Sequence, residues 1–105
     1  MSAPVWRLLL AEGAARQAEE IAKWWHTPRT RAPHLFADEL ARTLDRLAVQ
    51  PRAGVAIPHP DLPGLRRVLL VATRYHLYYS CNEPLSTLTG HGFWHGARGS
   101  PPELG

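Results

Sequence analysis

Arginine, histidine and tyrosine side chains recur between residues 67 and 98, where they could act together on a phosphate ester. The candidates are Arg67, Arg74, His76, Tyr78, His95 and Arg98. A metal-independent ribonuclease needs a group that activates the ribose 2′-OH, a cation that stabilises the phosphate, and an acid for the leaving oxygen. Histidine and arginine can fill these roles. The alternative is a solvated sheet face, since charged residues are mostly exposed.

Other residue patterns argue against a metal or a cofactor. His91 and His95 have the spacing that binds zinc on a helix, but on a strand four residues span about 13 Å, which is too far for one ion. The sequence contains no P-loop, nucleophile elbow or paired-cysteine motif. We therefore expect neither a metal site nor a cofactor.

Length and composition predict one modest domain over residues 1–105, with 96–105 as a short tail. The 105 residues are 45% hydrophobic and 20% charged, which suits a packed core and excludes general disorder. No apolar run approaches the roughly 18 residues of a membrane span. Cys81 is the single cysteine, so no internal disulfide is expected and the cytoplasm is the expected location.

The charge balance favours an anionic partner without identifying it. The formal net charge is +3, and Lys23 is the only lysine among the 12 lysine and arginine residues. Arginine makes planar, two-pronged contacts with phosphate or carboxylate. The excess of arginine is therefore compatible with RNA and equally with an acidic protein.

Hydrophobic periodicity predicts two helices and four strands. Residues 14–26 and 33–50 have apolar positions three and four apart, as in amphipathic helices. Runs rich in Val, Leu, Thr and aromatic residues predict strands at residues 4–10, 65–71, 73–81 and 85–95. The prolines and glycines of residues 51–64 predict a surface connection. The predicted class is α+β with the order β-α-α-β-β-β, a helical hairpin packed on one face of a small, mainly antiparallel sheet.

Alternation along the strands separates a core face from an open face. The core face of the third predicted strand receives Tyr75, Leu77 and Tyr79. The open face receives Arg74, His76 and Tyr78 from this strand, and Arg67 and Leu69 from the strand before it. We therefore expect the polar candidates to lie together on the open face.

In the last predicted strand, the same alternation turns Trp94 inward and Phe93 and His95 outward. This holds provided that Gly90 and Gly92 do not mark a β-bulge, because one extra residue would exchange the two faces. On this interpretation, the histidine joins the arginines of the open face.

Four segments in a fixed order resemble the RelE/ParE superfamily of toxins from bacterial type II toxin–antitoxin systems. They are LDRLAVQPRAG at the end of the helical hairpin, GLRRVLL and TRYHLYY in the strands that follow, and FWHGARG at the last strand. The superfamily fold has the element order that periodicity predicts. The resemblance implies a growth-inhibiting toxin neutralised by a small antitoxin that wraps around it, and therefore a hetero-oligomer of the two proteins.

The resemblance leaves two activities open. RelE-like members are ribosome-dependent mRNA endonucleases, and in that case Arg67, His95 and Arg98 are the expected catalytic residues. Arg67 matches a catalytic-type arginine, and His95 matches a histidine near the end of one endonuclease branch, but Gly96 stands where that branch has a tyrosine. ParE-like members inhibit DNA gyrase without catalysis, and the closing HGAR and the scarcity of lysine favour them. A protein of this fold that only binds its partner is a third possibility.

Four residues are candidates for partner binding: Trp24, Arg74, His76 and Tyr78. Trp25 falls on the apolar side of the first helix, whereas the neighbouring Trp24 does not. We therefore expect Trp24 to be partly exposed and to contact the antitoxin. The other three candidates lie on the predicted open face of the sheet.

Overall fold

The computed structural model describes residues 5–26 and 31–96, which form two helices and five strands. In chain order these are β1 (Arg7–Leu10), α1 (Glu12–Trp25), α2 (Leu35–Val49), β2 (Val55–Ala56), β3 (Leu65–Leu70), β4 (Tyr75–Asn82) and β5 (Thr87–His95). The sheet has the order β1-β5-β4-β3-β2, in which β1 is parallel to β5 and the other pairs are antiparallel. The predicted α+β class, with a helical hairpin on a mainly antiparallel sheet, is confirmed.

The two helices form a hairpin because each has one apolar side that must be buried. Ala14 is fully buried in α1, and Ile21 and Trp25 pack against the core from the following turns. In α2, Phe36 and Leu47 are buried. Burial of these residues stabilises the hairpin more than the exposed ion pair between Arg16 and Glu12 does. In the part of the chain that the structure describes, no helix is long and apolar enough to cross a membrane.

The core lies between the helices and the inner face of the sheet. Phe36 of α2 contacts two rings of the sheet edge-to-face, with centroid distances of 5.5 Å to Tyr75 and 5.7 Å to Phe93. Leu77 and Tyr79, alternate residues of β4, are each 1% exposed. The core face predicted for this strand is therefore confirmed.

Residues 51–64, predicted to be a connection without secondary structure, contain the short strand β2. Val55 pairs with Arg67, and Ala56 pairs with Arg66. The prediction is therefore wrong at these two residues. The apolar pattern of a two-residue strand is too short for periodicity to detect.

The buried hydroxyl of Tyr79 holds residues 51–54, which precede β2, through two hydrogen bonds. The Tyr79 hydroxyl donates to the Pro51 carbonyl at 2.7 Å and accepts from the Gly54 N–H at 2.9 Å. Burial raises the pKa of Tyr79, so the hydroxyl keeps the proton that it donates. Gly54 has no room for a side chain, because a Cβ would lie 2.7 Å from the Tyr79 Oη and 2.8 Å from the Arg67 carbonyl oxygen. Close packing at Gly54 and the tyrosine hydroxyl together position β2.

Tyr79→Phe is expected to lower the free energy of unfolding by about 1–3 kcal/mol, because the Pro51 carbonyl and the Gly54 N–H lose a buried partner. Equilibrium unfolding in urea measures the change. Tyr75→Phe is the matched control, since it removes a hydroxyl from a core tyrosine outside this network. A Tyr79→Phe protein as stable as the control would show that the hydroxyl does not hold the segment.

Candidate functional site

A β-bulge at His91 determines which side chains of β5 reach each face of the sheet. Tyr78 of β4 pairs with Gly92, and the next residue, Tyr79, pairs with Gly90. His91 is therefore an extra residue without a partner in β4. Glycine on either side gives the backbone the freedom that a bulge requires. Beyond the bulge, the alternation of the strand is reversed.

The bulge overturns the predicted orientation of the last residues of the strand. Phe93 faces the core and is 3% exposed, whereas Trp94 pairs with His76 of the open face. The prediction that Trp94 faces inward and Phe93 outward is therefore wrong. His95 pairs with Tyr75, and their ring centroids are 5.0 Å apart. The ring of His95 thus packs beside a core tyrosine, so the register of β5 differs from the one predicted for this histidine as well.

The residues predicted for catalysis do not form one group in the described structure. Arg67 lies on the open face, in register with Tyr78 of β4. His95 belongs by register to the opposite face. Arg98 lies outside the described residues. The strand register therefore separates the predicted cation, Arg67, from the predicted proton-transfer group, His95.

The end of the sheet nevertheless contains a pocket, which is lined from the open face and from the end of β5. It has a volume of about 380 Å³ and is lined by Leu69, Arg74, His76, His95 and Gly96. Arg74 lies in the turn before β4 and not in the strand, with a left-handed backbone (φ 68°). Its carbonyl accepts a hydrogen bond from the Gly96 N–H at 2.7 Å. This turn brings Arg74 to the pocket although the predicted strand assignment for it is wrong.

His76 supplies a neutral imidazole to this pocket. Burial lowers the pKa of His76 below its ordinary value of 6.5, and the charges of Arg67 and His95 lower it further. The Nδ1 atom of His76 is buried, and no hydrogen-bond partner reaches it from the described residues. The lowered pKa keeps the imidazole in its neutral form at neutral pH, the form in which a histidine can accept a proton.

The other two candidates for partner binding lie on different surfaces. Tyr78 faces the open side but is only 5% exposed, between Arg67 and Gly92 of the neighbouring strands. It therefore offers little area to a partner. Trp24 is 50% exposed on α1, and its ring lies 5.5 Å from that of Trp25, which packs against the core. The predicted difference in exposure between the two tryptophans is confirmed, and Trp24 lies on the helical side of the molecule.

The bulge also creates a polar pair that sequence reasoning missed. The Nε2 atom of His91 lies 2.7 Å from the Ser80 Oγ. Burial, and then the nearby charge of His59, lower the pKa of His91 below 6.5. The glycines around His91 signal a bulge, but nothing in the sequence identifies Ser80 as its neighbour. Across residues 5–26 and 31–96, no cluster of three or more His, Cys, Asp or Glu side chains could hold a metal ion.

Glu39 of α2 fixes the β3–β4 turn that borders the pocket. Its carboxylate accepts hydrogen bonds from the Ala72 N–H at 2.7 Å, the Thr73 N–H at 3.0 Å and the Thr73 hydroxyl at 2.7 Å. Burial alone would raise the pKa of Glu39, but these hydrogen bonds and the charge of Arg42 together lower it below the ordinary value of 4.5. Charge-assisted bonds from one helix therefore hold the turn that places Arg74.

The fold is similar to that of a solved toxin–antitoxin complex. A chain of the toxin–antitoxin complex RelBE2 from Mycobacterium tuberculosis superposes with a TM-score of 0.63 at 17% sequence identity, over 90% of this chain and 95% of that one. No family model matches the sequence, and no curated protein sequence matches it. Because the structural match extends over nearly all of both chains, the chain has a RelE-like fold.

Glu39→Gln is expected to lower the free energy of unfolding by about 1 kcal/mol at neutral pH, because a neutral amide accepts weaker hydrogen bonds from the turn. The folded state lowers the pKa of Glu39, so its carboxylate stabilises the fold above pH 4.5 and loses this effect as the pH falls through the lowered value. The difference in the free energy of unfolding between Glu39→Gln and the wild type should therefore become smaller at acidic pH. Urea unfolding at neutral and acidic pH tests this, and an unchanged difference in acid would contradict it.

Arg67→Gln is expected to raise the pKa of His76, because the substitution removes a positive charge that disfavours the imidazolium. An NMR titration of the histidine ring signals measures the shift. Arg16→Gln, a change on the exposed side of α1, is the control and should leave the titration of His76 unchanged. If both variants titrate like the wild type, Arg67 does not act on this histidine.

Proposed function

We propose that the chain is the toxin of a bacterial type II toxin–antitoxin pair, a growth inhibitor that a protein antitoxin neutralises. The main support is the fold shared with a chain of the RelBE2 toxin–antitoxin complex over 90% of this chain. The segments LDRLAVQPRAG, GLRRVLL, TRYHLYY and FWHGARG, which resemble RelE/ParE toxins, agree with it independently. The antitoxin is then the partner in a hetero-oligomer.

Within this class we favour a ParE-like activity, in which the toxin inhibits DNA gyrase by binding. Acid–base cleavage of RNA needs a proton-transfer group and a phosphate-binding cation around the same substrate. The bulge at His91 packs the ring of His95 against Tyr75, and the pocket that His95 lines does not include Arg67. Gly96, which follows His95 in place of a tyrosine, also favours a toxin without catalysis.

A second candidate is a RelE-like, ribosome-dependent mRNA endonuclease, and the pocket beside the β3–β4 turn favours it. His76 and Arg74 both line this pocket, and the charge of Arg67 acts on His76. In this case the neutral imidazole of His76 is the base and the two arginines bind the phosphate. The chemistry would then use a histidine of β4 instead of the histidine at the end of β5.

Expression of the chain in bacteria, alone and together with the product of the neighbouring gene, tests the proposal. We expect growth to stop with the chain alone and to resume with the second protein. Accumulation of gyrase–DNA cleavage complexes supports gyrase inhibition, and mRNA cut within codons supports the endonuclease. Unaffected growth with a folded, well-expressed chain would contradict both activities.

The mRNA cleavage activity of a His76→Ala variant distinguishes the endonuclease from the gyrase inhibitor. For an endonuclease, loss of the base should lower mRNA cleavage about 100-fold or more. For a gyrase inhibitor, neither the wild type nor the variant cleaves mRNA on ribosomes. His59→Ala is the matched control because His59 lies outside the pocket. If the wild type cleaves mRNA and His76→Ala cleaves it at the same rate, His76 is not the base.

A further inference from the structure

The outer edge of β3 is only partly covered by β2. β2 pairs with β3 as far as Arg67, whereas β3 continues to Leu70. Successive residues of an antiparallel strand point their backbone groups to opposite sides. Ile57 N–H donates to the Leu65 carbonyl on the β2 side, so the backbone groups of Leu69 point to that side as well. Within the described chain, no strand lies beside Leu69 there.

This edge and helix α2 form the two walls of a groove, which we term the β3–α2 groove. It has a volume of about 200 Å³ and is lined by Glu39, Arg42, Thr43, Arg46, Leu69, Leu70 and Val71. Leu69 is 37% exposed and Val71 is 66% exposed. The β3–α2 groove therefore places an unpaired strand edge next to apolar side chains that a partner could cover.

The charge of the β3–α2 groove is positive. Arg42 and Arg46 lie one helical turn apart and are both exposed. Neither belongs to an ion pair formed within the described residues. The carboxylate of Glu39 is directed at Ala72 and Thr73, which donate three hydrogen bonds to it. Arg42 acts on Glu39 only through its charge and forms no ion pair with it, so both guanidinium groups can pair with the carboxylates of a partner.

We propose that the β3–α2 groove binds an extended acidic segment of a partner protein, which adds to the exposed edge of β3 as a strand. The backbone of Leu69 fixes the register of the added strand, and alternate apolar side chains cover Leu69 and Val71. Carboxylates of the same segment pair with Arg42 and Arg46. The proposal rests on the proposed function in one respect, that the partner is the antitoxin.

A second copy of this chain is a poorer occupant of the β3–α2 groove. An edge-to-edge dimer would add the β3 of another copy, whose sequence is LRRVLL. That strand has two arginines and no acidic residue, so its charges would repel Arg42 and Arg46. Charge complementarity therefore favours a different, acidic chain.

The test uses the full chain and a short synthetic peptide of alternating valine and glutamate, with a valine–glutamine peptide as its uncharged match. Calorimetry measures both affinities. The double variant Arg42→Glu, Arg46→Glu should bind the glutamate peptide about tenfold or more weakly than the wild type. The double variant Arg7→Glu, Arg31→Glu changes the net charge equally at exposed positions outside the groove, and its affinity should fall much less.

Amide exchange of Leu69 gives a second measurement that needs no substitution. The Leu69 amide should exchange more slowly when the glutamate peptide is bound to the wild-type chain, because it then donates to the added strand. Three results would overturn the proposal: equal losses of affinity in the two double variants, equal affinity for both peptides, or unchanged exchange at Leu69. Circular dichroism of both double variants shows that a loss of affinity is not a loss of folding.

The growth assay separates this proposal from the proposed function. If the lone chain leaves growth unaffected but the peptide results are as expected, the toxin proposal fails and the acidic-strand site remains supported. If the chain is toxic, its antitoxin should restore growth in the wild type and much less in the Arg42→Glu, Arg46→Glu variant. Equal restoration in both would overturn the β3–α2 groove as the antitoxin site.

Discussion

The extra residue in β5 is the constraint on which both faces of the sheet depend. With His91 excluded from pairing, Phe93 enters the core against Phe36 and Trp94 lies outside it. Without the bulge, the larger indole of Trp94 would face the space that a phenyl ring fills, and overpacked cores are destabilised. The side chain of the unpaired residue has a hydrogen-bond partner, because the Nε2 atom of His91 lies 2.7 Å from the Ser80 Oγ. One inserted residue thus decides both the packing of the core and the composition of the open face.

The helices contribute to the pocket through the backbone of the β3–β4 turn. The Glu39 carboxylate accepts hydrogen bonds from the N–H groups of Ala72 and Thr73. The carbonyl of the next residue, Arg74, accepts a hydrogen bond from the Gly96 N–H just after β5. A change in α2 at Glu39 can therefore alter the end of the last strand without any direct contact between them. Turns are usually among the less stable parts of a fold. Here the Glu39 carboxylate accepts three hydrogen bonds from Ala72 and Thr73 and so connects the turn directly to α2.

Most of the fold is predictable from periodicity, whereas the detail of the site depends on backbone geometry. The faces of β4 are predicted because Tyr75 to Tyr79 is a regular strand without glycine. The faces of β5 are not predicted, because residues 90–92 allow two registers of the strand, one regular and one with a bulge. After residue 92 the two registers place the same side chain on opposite faces of the sheet, and the residue types do not choose between them. Arg74 reaches the pocket through a left-handed turn, a conformation that the sequence pattern of a non-glycine residue does not reveal.

The parallel pairing of β1 with β5 has a consequence for the order of folding. Arg7 lies opposite Thr87, so this pairing encloses almost all of the described chain. Contacts between distant residues form late because a long loop must close before they contribute. On the ribosome, β1 and the helical hairpin are synthesised well before β5 and keep part of their apolar surface exposed until it emerges. Because β5 lies between β1 and β4, the sheet can be completed only after β5 has been synthesised.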